Sequence, residues 1–251
     1  MALSQRDFLG FPGDAVVIVT GAAHGIGQAV ARAAARQGLA VAVWDLDGDA
    51  AAALATELRN TGASTLGLAV DVTDDGQVAA GMQRTVAELG AVGFLVNNAS
   101  PSSYGDTTFA DGLLGGVDSA RRVTEAWLSH DGARDGSLVN VSSVAGALTG
   151  GGAADWYPTA KAGLVGYTRY LAVHRPQGIR ANAVAPGFTR TRRTVDLFAS
   201  EAGRANLERN PLRRAAEPAE IAAPILFALS PAASYVNGVL LPVDGGTVVV
   251  L

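Results

Sequence analysis

The sequence has no cysteine, a single lysine and only three histidines among its 251 residues. Without cysteine the chain has no disulfide, thiolate nucleophile, iron–sulfur cluster or thiolate zinc site. The histidines, at positions 24, 130 and 174, are too far apart to indicate a histidine metal cage, so we predict no metal site. Only 17% of the residues are charged and the net charge is −4, which argues against nucleic acid as a partner.

Long apolar runs are also missing. Residues 1–13 lack the basic region and the apolar run of a signal peptide. The uncharged stretch 136–154 is rich in Ser, Asn, Thr and Gly, and therefore predicts a buried strand and a loop in place of a membrane helix. We expect a soluble, cytoplasmic protein with no membrane partner.

Short apolar runs alternate with alanine-rich helical stretches along the chain. Strands that are apolar on both faces indicate a parallel sheet covered by helices on both sides. The predicted strands are 16–20, 40–44, 65–70, 94–97, 137–141, 180–184 and 239–243, and the predicted helices are 25–37, 48–60, 74–89, 111–129, 153–174 and 218–229. Right-handed crossovers then give an α/β fold with one doubly wound, Rossmann-type parallel β-sheet of about seven strands. We expect a single domain over 1–251, with a cofactor half at about 12–140 and a catalytic and substrate half at about 141–251.

A glycine-rich turn joins the first predicted strand to the first predicted helix. Gly21 permits the tight turn, while Gly25 and Gly27 let the backbone approach a pyrophosphate and let the helix pack closely on the sheet. The helix N-terminus supplies N–H donors and a positive partial charge for that anion. The alternative is a glycine-rich turn without a ligand.

Asp45 ends the second predicted strand, where an acid can bind both ribose hydroxyls of an adenosine. A 2′-phosphate at this point would meet the carboxylate with a repulsion of about 1–4 kcal/mol. His24 opposes this preference as a potential cation, but a neutral imidazole near pH 7 is a weak one. We therefore expect NAD, with NADP less favoured. The alternative role for Asp45 is a helix cap for the next segment.

Ser143, Tyr157 and Lys161 are the candidate catalytic residues. Tyr157 and Lys161 are four residues apart on a predicted helix and therefore share one face. A phenol has a pKa near 10, and a nearby ammonium lowers it by stabilising the phenolate. The Ser143 hydroxyl can hold a substrate oxygen against the Tyr157 hydroxyl. Together the three form a proton relay for an alcohol whose carbon gives hydride to a nicotinamide.

With these residues in place, the chain resembles the classical short-chain dehydrogenase/reductase family over about residues 12–247. The matching pieces, in family order, are 20–27, Asp45, Asp71 and Val72, 97–99, Ser143, Tyr157, Lys161, 180–182, Pro186 and Gly187, and 243–246. The resemblance implies an NAD(P)-dependent oxidoreductase acting on CH–OH groups (EC 1.1.1.-), which interconverts a secondary alcohol and a ketone. A dehydratase, isomerase or cyclase on the same scaffold, or a non-catalytic nucleotide-binding protein, are the alternatives.

The resemblance also implies residue roles. Tyr157 is the acid/base, Ser143 polarises the substrate oxygen, and Lys161 binds the nicotinamide ribose and lowers the pKa of Tyr157. The implied cofactor contacts are Thr20, Gly21, His24, Gly25, Ile26, Gly27, Asp45, Leu46, Asp71, Val72, Asn98, Ala99, Tyr157, Lys161, Pro186, Gly187, Thr189 and Thr191. The resemblance implies a homotetramer or homodimer formed through the fourth and fifth helices and the C-terminal strand. The apolar end 247–251 would suit such an interface; alternatively, it packs on its own domain.

The sequence departs from the family pattern at four points. Gly116 stands where the family carries an Asn that anchors a water in the proton relay, so water alone completes the relay, Asp118 or Ser119 substitutes, or proton transfer is impaired. The stretch from Asn98 to this helix is about seven residues shorter than in the family. Ser100 replaces the usual Gly, and the spacing from Ser143 to Tyr157 is one residue longer.

The substrate end is predicted at 100–104, 145–156 and 188–210, beyond the carboxyl ends of the strands. Four aromatic residues in these segments indicate either a partly apolar pocket or ordinary core packing: Tyr104, Trp156, Phe188 and Phe198. Three arginines there either receive a substrate carboxylate or lie on a solvated lid: Arg190, Arg192 and Arg193.

Overall fold

Seven parallel strands form one sheet in the order β3-β2-β1-β4-β5-β6-β7. The computed structural model describes residues 8–101, 106–146, 154–175 and 178–249. The strands are β1 (Val16–Thr20), β2 (Ala40–Asp45), β3 (Thr65–Ala69), β4 (Val92–Asn97), β5 (Ser137–Val141), β6 (Arg180–Pro186) and β7 (Leu240–Val243). The order reverses between β1 and β4, which opens a crevice at the carboxyl ends of these two strands. The predicted seven-stranded, doubly wound sheet is confirmed.

Helices cover both faces of the sheet. They are α1 (Gly25–Arg36), α2 (Gly48–Asn60), α3 (Asp75–Leu89), α4 (Phe109–Leu113), α5 (Ser119–Leu128), α6 (Trp156–His174), α7 (Val195–Ala199), α8 (Glu201–Arg209) and α9 (Pro218–Leu229). The apolar residues of α1, α2 and α9 pack on one face, and those of α3, α5 and α6 on the other. Each inner strand buries both of its faces, which explains the unbroken apolar runs in the sequence.

A buried polar chain crosses the centre of the second face. The Asn97 side-chain amide donates to Asn140 Oδ1 and to Thr124 Oγ1, both at 2.9 Å, and Asn140 donates to Thr168 Oγ1 at 2.9 Å. These bonds tie β4 and β5 to α5 and α6. Buried amides must be paired to offset their desolvation, so the chain fixes α6, the helix of Tyr157 and Lys161, in one place on the sheet.

Arg180 anchors the far end of the sheet. Its guanidinium donates to the carbonyl oxygens of Ala228 and Leu229, each at 2.8 Å, and of Ser230 at 2.9 Å. These carbonyls belong to the last turn of α9 and its cap, where backbone oxygens otherwise lack partners. The arginine therefore joins the C-terminal end of α9 to β6.

The structure differs from the sequence prediction in one interrupted helix, two unpredicted helices and several element ends, among them the starts of β4 (Val92) and α6 (Trp156). The predicted helix at 111–129 begins at Phe109, ends at Leu128 and is interrupted by a π-helical turn, Leu114–Asp118. Helices α7 and α8 were not predicted, because their short, largely polar segments show no apolar periodicity over enough residues. Strand β6 continues two residues beyond the predicted end, to Pro186. Within the parts of the chain given above, no helix is both long and apolar enough to cross a membrane.

Candidate active site

The glycine turn at the end of β1 has little room for side chains. Gly21 and Gly25 have φ values of 60° and 55°, which disfavour any residue with a Cβ. A Cβ at Gly21 would lie 2.9 Å from the Ala99 backbone, and one at Gly27 would overlap the Gly21 carbonyl oxygen. The first turn of α1 therefore packs directly on the end of β1, as the sequence predicted for these glycines.

Thr20 and Asn98 hold this turn in place. Thr20 Oγ1 accepts hydrogen bonds from the backbone N–H groups of Asn98 and Ala99, both at 3.0 Å. The Asn98 amide nitrogen donates to the carbonyl oxygens of Thr20 and Gly21, at 3.0 and 2.9 Å. These bonds clamp the end of β4 against the end of β1, and they use both of the amide donors of Asn98.

Asp45 is oriented by two backbone donors. Its Oδ2 accepts from Ala23 N at 2.9 Å and its Oδ1 from Asp47 N at 3.0 Å. The helix-cap alternative for Asp45 is wrong, because Asp47 caps α2 by accepting from Ala50 N at 3.0 Å. Asp45 instead braces the glycine turn and presents its carboxylate to the crevice.

His24 lies beside Asp47. Its Nε2 is 3.7 Å from Asp47 Oδ2. The hydrogen bond from Ala50 holds the pKa of Asp47 below its usual value, and the nearby His24 and Arg192 act in the same direction. Asp47 is thus a carboxylate next to the imidazole that the sequence offered as a partner for a 2′-phosphate.

Lys161 is buried on the crevice side of α6. Its Nζ donates to the Val141 carbonyl oxygen at 3.0 Å, and it lies 5.8 Å from the Tyr157 ring centroid. Burial, together with the charge of Arg193, lowers the pKa of Lys161 to about 8. Ser142 fixes the helix at this level, because its hydroxyl donates to the Lys161 carbonyl oxygen at 2.7 Å.

Ser143 follows β5 and is buried at the base of the crevice. Its Oγ accepts from Ala145 N at 3.2 Å, a bond that uses an oxygen lone pair and leaves the hydroxyl hydrogen to donate elsewhere. Tyr157, Lys161 and Ser143 all line the same crevice.

Trp156 explains the glycine at the family's Asn position. Its buried indole ring occupies a groove between α4 and the π-helical turn, where a Cβ at Gly112 would overlap the ring. A Cβ at Gly116 would lie 2.8 Å from the Ala160 Cβ and 3.7 Å from the Trp156 ring. Gly116 therefore faces α6, and an Asn there would collide with this packing.

Neither of the proposed substitutes for that Asn reaches the crevice. The Asp118 carboxylate binds Arg121 and Arg122, both at 2.7 Å. The Ser119 hydroxyl donates to the Gly115 carbonyl oxygen at 2.7 Å. The idea that Asp118 or Ser119 replaces the Asn is wrong, because both side chains are engaged on the helix itself.

The crevice opens into a cleft of about 1300 Å³. Pockets for drug-sized ligands are about 300–1,000 Å³, so this cleft has room for a dinucleotide and a small substrate. All but two of the predicted site residues line it; the exceptions are Thr20 and Gly27, which shape the turn from behind. Cleft residues that were not predicted include Val70, Thr73, Gly115, Val141, Ser142 and Thr247. Only Ser142 had a sequence signal, the serine pair after β5.

Only some of the aromatic residues and arginines predicted at the substrate end line the cleft. Phe188 lines the cleft, whereas Phe198 stacks behind it with ring centroids 4.5 Å apart. Trp156 packs in the core, and Tyr104 and residues 147–153 fall outside the described residues. Arg192 and Arg193 line the cleft. Arg190 does not line it, and its Nε lies 3.1 Å from Glu217 Oε1.

Comparison with known proteins settles the family. A family model described as enoyl-(acyl carrier protein) reductase matches residues 21–248. The chain belongs to the short-chain dehydrogenase/reductase family. It is 40% identical to cis-4-hydroxycyclohexanecarboxylate dehydrogenase of Sinomonas cyclohexanicum, covering 92% of this chain and 95% of the relative. It is 38% identical to 3-oxoacyl-(acyl-carrier-protein) reductase FabG of Pseudomonas aeruginosa, covering 92% and 96%.

A solved structure has the same fold as this chain. A crystal structure described as ribose-5-phosphate isomerase from Brucella melitensis superposes with a TM-score of 0.81 at 33% identity, covering 94% of this chain and 93% of that one. The family uses NAD(P), and the cleft fits such a group, since Gly25 and the N-terminus of α1 form one wall of it and Asp45 lies at one end. The candidate catalytic residues Ser143, Tyr157 and Lys161 line this same cleft.

Proposed function

We propose that the protein is an NAD(H)-dependent oxidoreductase that interconverts a secondary alcohol and a ketone. One observation carries the proposal: Ser143, Tyr157 and the buried ammonium of Lys161 line the same cleft as the glycine turn. A nucleotide-binding protein without catalysis needs the turn but gains nothing from a buried cation, which costs free energy to desolvate.

The three side chains divide the proton chemistry. Ser143 donates a hydrogen bond to the substrate oxygen and holds it beside Tyr157, which takes the alcohol proton during oxidation and returns it during reduction. Lys161 stabilises the phenolate form of Tyr157, and its N–H groups not used by Val141 suit the ribose hydroxyls. When bound, the nicotinamide supplies the hydride acceptor or donor. Because Gly116 and its neighbours place no side-chain donor in the relay, water carries the proton onward from Lys161.

NAD is the favoured cofactor because of Asp45. The carboxylate is fixed at the cleft by two backbone N–H groups and keeps lone pairs for two ribose hydroxyls. A 2′-phosphate there would be repelled by Asp45, and Asp47 places a second carboxylate 3.7 Å from His24 Nε2. We expect kcat/KM to be higher with NADH than with NADPH. The Asp45→Ser substitution should reduce the ratio of these two values.

The names of the relatives guide the choice of substrate. A dehydrogenase of a hydroxycyclohexanecarboxylate is 40% identical to this chain, and a 2-(S)-hydroxypropyl-CoM dehydrogenase from Xanthobacter autotrophicus is 35% identical. Both names describe secondary alcohols. A first panel should therefore contain cis-4-hydroxycyclohexanecarboxylate, its uncharged carboxamide and simple cyclic and linear secondary alcohols.

The proposal also includes a homotetramer or homodimer. The family typically forms oligomers, and α6 presents Tyr170 (50% exposed) and Val173 (69% exposed) on its outer side. Apolar groups there favour burial against a second copy. Sedimentation should give a multiple of the 25.4 kDa chain mass, and Val173→Asp should shift it towards the monomer. A monomeric wild-type protein would contradict this part of the proposal.

Tyr157→Phe tests the relay. Loss of the acid/base should lower kcat about 10²–10⁴-fold while NADH still binds. The matched control is Tyr167→Phe on the same helix, since burial raises the pKa of Tyr167 to about 12 and its hydroxyl lies outside the cleft. Equal activity of the two variants would refute the role of Tyr157.

A further inference from the structure

The substrate end of the cleft carries positive charge without an opposing acid. Arg193 and Arg209 line this end, on the segment that follows β6. The acids that line the cleft, Asp45 and Asp71, lie at the ends of β2 and β3, on the other side of β1 from β5 and β6. Asp45 and Asp71 therefore lie at one end of the cleft together with Arg192, whose charge acts on Asp47, while Arg193 and Arg209 lie at the other end.

Two stretches at the predicted substrate end carry no acid in the sequence. Residues 102–105 read Ser-Ser-Tyr-Gly, and residues 147–153 read Ala-Leu-Thr-Gly-Gly-Gly-Ala. Neither contains Asp or Glu, so neither can neutralise the arginines. A carboxylate from outside the chain has the chemistry that matches a guanidinium.

Arg193 is held at the cleft and is not ion-paired within the described part of the chain. One guanidinium N–H donates to the Ser100 carbonyl oxygen at 2.9 Å, which fixes the side chain across the loop that follows β4. Its charge acts on Lys161, which places it on the relay side of the cleft. A guanidinium has five N–H donors, so further donors remain for a ligand.

Arg190, unlike Arg193, is paired with an acid of the chain. It lies three residues earlier, yet it points away from the cleft, binds the Glu217 carboxylate at 3.1 Å and lies 4.8 Å from the Phe198 ring centroid. Its charge is thus matched within the protein. The apolar side chains beside Arg193 in the cleft are Phe188 and Leu197.

We infer that the substrate has an apolar body bearing a carboxylate, and that Arg193 binds that carboxylate while the alcohol or ketone faces Tyr157. This inference rests on the function proposed above and narrows its substrate class. It assigns Arg193 to specificity, with no part in proton or hydride transfer. Arg209, at the same end, adds to the attraction.

The test compares binding and turnover of charged and uncharged probes. Calorimetry measures cyclohexanecarboxylate and cyclohexanecarboxamide binding to the protein–NADH complex, and kinetics compares cis-4-hydroxycyclohexanecarboxylate with its carboxamide. Arg193→Met should weaken cyclohexanecarboxylate binding and raise the KM for cis-4-hydroxycyclohexanecarboxylate, each about tenfold to a hundredfold. The values for the two carboxamides should change little. Arg193→Lys should lose less. Arg190→Met, the matched control, should leave the affinities and KM values of both the carboxylates and the carboxamides unchanged.

Each outcome decides between the two proposals. If carboxylate and carboxamide bind the wild-type complex equally, or if neither binds, the inference is overturned. Equal losses for both probes in Arg193→Met would also overturn it, because they would indicate a structural role. Turnover of uncharged alcohols with NAD but no carboxylate preference would leave the oxidoreductase proposal intact. Carboxylate binding through Arg193 without any hydride transfer would refute the oxidoreductase and keep the anion site.

Discussion

Replacing Lys161 by Met should abolish turnover, whereas the stability of the cofactor-free protein near pH 7 should change little. The ammonium is fully buried, and burial lowers its pKa from 10.5 to about 8. At pH 7 Lys161 is protonated in both the folded and unfolded states, so folding must desolvate a charge. Met has a similar length and carries none, so its burial avoids that cost.

The magnitude follows from the shift in pKa. A difference of about 2.5 units corresponds to about 3 kcal/mol of destabilisation at pH 7. Against this, Lys161→Met leaves the Val141 carbonyl oxygen without its donor, which costs about 1–3 kcal/mol at every pH. The two terms nearly cancel at pH 7, so the variant and the wild type should have similar free energies of unfolding.

The pH dependence separates the two terms. As the pH rises from about 8 towards 10.5, the folded state has released its proton while the unfolded state still holds it, so wild-type stability rises with pH. The unfolding free energy of Lys161→Met relative to wild type should therefore fall by about 2 kcal/mol between pH 7 and 9.5. The chain has no other Lys and no Cys to titrate in this window, and the remaining groups cancel in the difference.

Urea unfolding of both proteins without cofactor, at one fixed protein concentration, measures this difference. A difference that stays constant from pH 7 to 9.5 would refute the desolvation of Lys161. A wild type that loses stability relative to the variant over this range would refute it as well.

Three other substitutions have definite expected outcomes. Gly27→Ala places a Cβ against the Gly21 carbonyl oxygen and should lower the unfolding free energy by about 1–3 kcal/mol and weaken NADH binding, which calorimetry and urea unfolding measure together. Gly112→Ala places a Cβ against the Trp156 indole and should lower the unfolding free energy by a similar amount, while NADH affinity is retained. An unchanged unfolding free energy would refute the tight packing of Trp156 against Gly112. Lys161→Arg keeps the charge but presents a wide planar fork, so kcat should fall at least tenfold; near-normal kcat would contradict the role of Lys161.

The sequence predicted best where local spacing decides the structure. Tyr157 and Lys161 share a face because helical residues four apart always do. Asp45 could be placed at the crevice because it ends a strand next to the one that carries the glycine turn. Both predictions needed only periodicity and the rule that ligands bind at the carboxyl ends of parallel strands.

Packing between distant segments could not be predicted in the same way. The groove at Gly112 and Gly116 exists because the Trp156 ring, some forty residues later, fills it, and the sequence alone does not show which large side chain a glycine faces. The same limit applied to Arg190 and Arg193. Their different roles depend on Glu217 and on the Ser100 carbonyl, which reach them only in the folded chain.

The most direct test of the central claim follows one hydrogen atom. The protein is incubated with NAD and a secondary alcohol from the panel that carries deuterium on its carbinol carbon, and both products are analysed by mass spectrometry. The relay of Ser143, Tyr157 and Lys161 predicts ketone and reduced nicotinamide in equal amounts, with the deuterium in the nicotinamide. Conversion of the substrate with no deuterium in the cofactor would contradict the account and identify an isomerase or dehydratase instead.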